Sequence, residues 1–119
     1  MASHNDLGKK GEELALKYLK KKNFIIKETN WCFGKDEIDI IAFDEEMLVI
    51  AEVKTRSSNY LMKPEFAVSR TKQRCLIRAA NAYIDMKDLD VETRFDIISI
   101  VVYNQQYAIE HIEDAFYPF

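Results

Sequence analysis

The stretch from Glu37 to Arg56, EIDIIAFDEEMLVIAEVKTR, limits the fold of this chain more than any other. It reads as two strands joined by an acidic turn. The first strand sets Asp39 among isoleucines. The second sets Glu52 and Lys54 after the apolar run Met47, Leu48, Val49, Ile50 and Ala51. Charges beside such runs are costly unless something compensates them. A divalent cation would do so, because carboxylate oxygens are the ligands that Mg²⁺ and Mn²⁺ prefer.

Side chains in a strand change face at each residue. Glu52 and Lys54 therefore share a face with Ile50 and Leu48, and Met47, Val49, Ala51 and Val53 take the other. Both faces are apolar, which describes a central strand covered on both sides, with the charged pair at its far end. If Asp44 lies opposite Met47, then Phe43 lies opposite Leu48 and Asp39 opposite Glu52, on one face. A slip of one residue would send the two carboxylates to opposite faces. The tight loop left at Glu45 and Glu46 has no Gly or Asn, so its turn type is not readable.

Charge is distributed unevenly. The net charge is −3, which taken alone argues against a nucleic-acid partner. Residues 9 to 27, however, hold seven lysines against two glutamates, and residues 54 to 78 hold seven basic residues against Glu65. Two basic segments thus flank an acidic hairpin, as a phosphate-binding rim around a metal-binding acid cluster would. Solvated helix faces explain the lysines at 20 to 22 better.

The remaining elements follow from periodicity. Asn5 or Asp6 can cap a helix running to about Lys22, with Leu7, Gly11, Leu14, Ala15 and Tyr18 as its buried stripe. Helical phase turns Glu12 inward and Glu13 to the surface, where Glu13 can pair with Lys17. A strand is expected over Phe24 to Cys32 and a loop over Ser57 to Lys63, in which Tyr60 could stack on a base or pack on the surface. Pro64 and Glu65 can open a short helical turn with Phe66 and Val68 inward. Ser69 caps a second helix, Arg70 to Met86. On it Arg70, Arg74 and Arg78 step along one side as a basic ridge, suited to phosphate or simply solvated, and Lys72 points toward the sheet edge. Phe95 to Tyr103 is a strand, Tyr107 to Ile112 a shorter one, and Glu113 to Phe116 a final turn of helix. Arg94 and Asp96 share a face and can pair. His4 and His111 carry no partner pattern, and Cys32 and Cys75 are too far apart in sequence for a metal motif. The length of 119 residues fits one domain over 1–119. No apolar run is long enough to span a bilayer and no signal-peptide pattern is present, so the cytoplasm is the expected location.

Asp39, twelve intervening residues, then Glu52-x-Lys54 resembles the PD-(D/E)XK nuclease signature. Alone, the spacing is equally well explained as a strand ending in a solvated Glu/Lys pair. The order of helix, three strands, helix and two strands adds weight, and six segments add more. They are GKKGEELALKYL (8–19), EIDIIAFD (37–44), AEVKTR (51–56), AVSRTKQR (67–74), RFDI (94–97) and HIEDAF (111–116). Together they resemble the YraN-like bacterial family, whose fold is similar to archaeal Holliday junction resolvases. One departure is Asp36, where that pattern usually has Gly.

The resemblance implies an α/β, restriction-endonuclease-like single domain with an α-β-β-β-α-β core and a mixed central sheet flanked by helices. It implies a nuclease-like site at Glu12, Asp39, Glu52 and Lys54, with Asp39, Glu52 and Glu12 toward Mg²⁺ or Mn²⁺. Arg56, Arg70, Lys72, Arg74 and Arg78 would meet the nucleic acid, DNA in the first place. The expected activity is metal-dependent hydrolysis of phosphodiesters in structured or branched DNA. The competing expectation is a non-catalytic nucleic-acid-binding module that keeps the fold. A homodimer is left open.

Overall fold

The computed structural model describes residues 4–59 and 67–118. Its elements are α1 (His4–Lys21), β1 (Ile25–Phe33), β2 (Asp36–Asp44), β3 (Met47–Ser57), α2 (Arg70–Met86), β4 (Thr93–Tyr103) and β5 (Gln106–Phe116). The strands form one sheet in the order β1-β2-β3-β4-β5. Every pairing is antiparallel except β3 with β4. That exception follows from the α2 crossover, since a parallel return needs a long connection. The chain is therefore a single α/β domain with a five-stranded mixed sheet and two helices. Its element order is compatible with a nuclease-like fold.

The apolar alternation of β3 divides the core into two layers. On one face Ile40, Ala42, Val49, Ala51, Ile98 and Ile100 pack against Ala15 and Leu19 of α1. On the other, Ile38, Ile41, Leu48 and Ile50 pack against Leu76, Ala79, Ala80 and Tyr83 of α2. The register places Asp44 opposite Met47 and Phe43 opposite Leu48, as the hairpin reading requires. Glu45 supplies the turn by adopting φ 55 despite its Cβ.

Helix ends match local chemistry. The Ser69 hydroxyl accepts the Lys72 amide at 3.1 Å, which starts α2. Asn23, at φ 70, ends the run after α1. Helix α1 already begins at His4, so Asn5 and Asp6, the expected caps, both sit inside its first turn. At Gly11 the α1 backbone lies against β3, where an added Cβ would overlap Thr55. A bare backbone there lets the helix seat directly on the central strand.

Two expectations need correction. Glu113 to Phe116 is not a helical turn. The strand breaks register after Ile112, then rejoins β4 with Phe116 opposite Phe95. The Asp96 carboxylate holds the interruption by accepting the Asp114 amide at 3.0 Å. His111 is not incidental either. Its Nε2 lies 2.7 Å from Asp96 and its Nδ1 3.2 Å from the Tyr18 hydroxyl. Arg94 grips the same aspartate through two bonds of 2.9 and 3.0 Å, so the expected Arg94–Asp96 pair forms within a larger buried network. Burial works against the Asp96 charge, but His111, Arg94 and the Asp114 amide outweigh it and hold the carboxyl below its ordinary range. Tyr60 and the turn expected at Pro64 to Phe66 lie outside the described residues.

Candidate functional site

The acidic residues meet where the hairpin ladder opens. The β2–β3 pairing runs as far as Ile40 opposite Ala51. Beyond it the Val53 amide donates to the Asp39 carboxylate, at 2.8 Å. Face alternation in β2 also breaks at this point. Ile38 packs on the α2 side and Ile40 on the α1 side, although residues two apart in a regular strand share a face. Neighbouring β1 is irregular at the same level. Asn30, between the Thr29–Ile40 and Trp31–Ile38 pairs, takes φ 50. Both strands turn over here, and Asp39 reaches across the opening toward β3.

The ladder stops one pair short of Asp39 and Glu52, yet the two carboxyls lie close enough to influence one another. The Asp39 carboxyl is pushed up to about 8, first by burial and then by hydrogen bonding and repulsion from Glu52. Glu52 is only 6% exposed, and its Oε2 accepts no hydrogen bond. The nearest cation is the Lys72 ammonium, 3.4 Å from that oxygen, a charge contact and not a directed bond. The two carboxyl groups open on different clefts. Asp39 lines a cleft of about 620 Å³ with Glu12, Asn30, Glu37, Lys9 and Thr55. Glu52 lines one of about 660 Å³ with Lys54, Ser69 and Lys72. Val53 borders both.

Glu12 faces the Asp39 cleft and Glu13 faces solvent, as helical phase predicts. The Glu12 carboxylate stands off from the pair, however, and accepts Asn30 Nδ2 at 2.9 Å. Its pKa is raised, chiefly by burial and by the Asp39 charge, with Asn30 acting in the opposite sense. Among the described residues no three His, Cys, Asp or Glu side chains come close enough together to enclose an ion. The expected triple of Glu12, Asp39 and Glu52 is thus a pair with a neighbour. Lys54 is exposed beside Glu52 and, among the described residues, has no ion pair.

The basic residues divide. Arg56, Arg70 and Arg74 are exposed, with contacts of their own. Arg78 is committed to Asp36 through bonds of 2.7 and 3.0 Å. That guanidinium, by hydrogen bonding, lowers the Asp36 pKa. The basic ridge therefore loses its third step, and the extra charge at Asp36 is neutralised locally. Lys72 reaches inward, as expected, but to Glu52. Sequence reasoning missed Asn30, whose signal was available. Asn is uncommon within strands and tolerates the left-handed conformation.

Asp39 and Glu52 are the described residues that could hold a divalent cation. A buried carboxylate oxygen without a hydrogen bond, next to a second carboxyl whose pKa burial and repulsion raise, has the donor chemistry that a hard cation takes. Two carboxylates suffice for Mg²⁺, which keeps several waters and shares substrate phosphates.

Fold and site together define an α/β domain with paired acids at the open end of a central hairpin. The model for uncharacterised protein family UPF0102 matches residues 11–100, and the chain belongs to this family. Its YraN-like members include a UPF0102 protein of Flavobacterium psychrophilum, 53% identical over the full length of both chains. A UPF0102 protein of Bacteroides thetaiotaomicron is 47% identical, covering 99% of this chain and 98% of its own. One from Flavobacterium johnsoniae is 47% identical over the whole of each chain.

Proposed function

We propose that this protein is a Mg²⁺- or Mn²⁺-dependent endonuclease that hydrolyses phosphodiesters in structured or branched DNA in the cytoplasm. One observation carries the reading: a buried Glu52 with an oxygen that accepts no hydrogen bond, near an Asp39 carboxyl that burial and Glu52 push up to about 8. A fold under stability selection alone has no use for that arrangement, since paired buried acids cost stability. Asp39 and Glu52 would hold the cation, which would lower the pKa of a bound water and offset phosphate charge. Lys54, exposed on the face of Glu52, orients the attacking water or stabilises the developing charge. Glu12, held by Asn30, faces the same cleft as Asp39 and binds further water or cation. Arg56, Arg70 and Arg74 bind the backbone, and shape with phosphate contact dominates recognition. Among the described residues no helix is long and apolar enough to cross a membrane.

A second reading, a nucleic-acid-binding module without catalysis, draws on the lack of three converging acids among the described residues. Titration with Mn²⁺ separates the two. The nuclease binds Mn²⁺, loses it on Asp39→Ala, and cuts at least one of hairpins, flaps, four-way junctions or single strands. A parent that binds no cation and cuts none of these is the binding module.

A further inference from the structure

Lys72 does something that a phosphate-binding lysine need not do. Its ammonium lies 3.4 Å from Glu52 Oε2, the oxygen that accepts no hydrogen bond. We propose that Lys72 is an internal counter-ion, which occupies the cation seat at Glu52 in the metal-free protein and yields it when a divalent cation binds. This rests on the reading of Asp39 and Glu52 as a cation site.

Three features make the contact exchangeable. The Glu52 side chain is 8% exposed, so its charge requires a partner in the metal-free state. The Lys72 side chain is 41% exposed, so its ammonium can be hydrated as soon as it leaves. Its backbone is fixed by the Ser69 cap, so only a long flexible stem has to move. The cleft shared by Glu52, Lys54, Ser69 and Lys72 gives it somewhere to go. A divalent ion at Glu52 would repel an ammonium held at 3.4 Å, so the two cations compete for one oxygen. The charge of Lys72 therefore lowers metal affinity while it protects the metal-free fold.

A purely structural ion pair predicts something different. Removing its lysine would loosen the site and would not improve metal binding. The test is calorimetric Mn²⁺ titration, with thermal melting in chelator and in Mn²⁺, on the parent, Lys72→Gln and Lys72→Arg. Lys72→Gln should bind Mn²⁺ about tenfold more tightly, the scale of one partly screened unit charge. It should melt lower than the parent in chelator and recover in Mn²⁺. Lys72→Arg, which keeps the charge, should stay near the parental affinity. If Lys72→Gln does not fold, Lys72→Met carries the same comparison. Equal or weaker Mn²⁺ binding by the neutral variant, with the parent binding normally, overturns the counter-ion role alone. No Mn²⁺ binding by any of the proteins overturns both this role and the cation site.

Discussion

Replacing Asp39 with Asn should stabilise the metal-free protein, by an amount that grows with pH. The Asp39 carboxyl is displaced from an ordinary 3.8 to about 8 by burial and by Glu52. A group whose pKa is raised by folding binds its proton more tightly in the folded state. Its contribution is fully present below the unfolded pKa and is lost as pH rises through the folded one. Each pH step between the two values is worth about 1.36 kcal/mol, which sets a ceiling on the order of 5 kcal/mol. The cleft is open to solvent, which screens part of the repulsion, leaving about 2–3 kcal/mol for one substitution to release.

The substituted amide keeps the oxygen that accepts the Val53 amide and can donate to Glu52, so little else is disturbed. At about 2.1 cal/mol/K per residue, a chain of this length gains roughly 4 °C in Tm per kcal/mol. Melting in chelator should therefore show Asp39→Asn and the parent nearly equal near pH 4, and the variant about 10 °C higher near pH 9. Mn²⁺ should raise the Tm of the parent and leave Asp39→Asn unchanged. A Tm difference that is flat across this range, or a variant less stable at high pH, refutes the strained acid pair.

Further outcomes follow from other parts of the structure. Lys54→Met should slow single-turnover cleavage roughly a hundredfold or more while lowering DNA affinity much less. Arg74→Ala should weaken binding and flatten its salt dependence with little effect on the saturated rate. Gly11→Ala should cost about 1–3 kcal/mol in denaturant unfolding, because the new methyl overlaps Thr55, and Thr55→Ala should recover part of it. Asp96→Asn should cost about 3 kcal/mol or more near neutral pH, since it leaves Arg94 without its buried partner. That cost should shrink in acid: the folded pKa is lowered, so the parental contribution exists above the unfolded value and is lost as pH falls through the folded one. A cost independent of pH would show that the charge of Asp96 is not what holds the network.

What was legible from sequence was whatever local periodicity and parity encode. The apolar run of β3 marked it as the central strand, and the Asp44–Met47 register held as far as Ile40 opposite Ala51, one pair short of Asp39 and Glu52. Helical phase separated Glu12 from Glu13, and Ser69 announced its helix. These signals sit within a few residues of the groups that they place. The parts that escaped depend on partners far away along the chain. His111 looks inert until the fold brings Tyr18 and Asp96 to its two nitrogens. Arg78 looks like a phosphate ligand until Asp36, 42 residues earlier, claims it. Parity also assumes an unbroken pleat, and at Asn30 and Asp39 both strands turn over, sending the two acids to adjoining clefts. The sequence by itself determined which residues carry charge into an apolar sheet. Only the tertiary structure decided which charges face one another, because electrostatic pairing depends on distance in space, and separation along the chain does not record it.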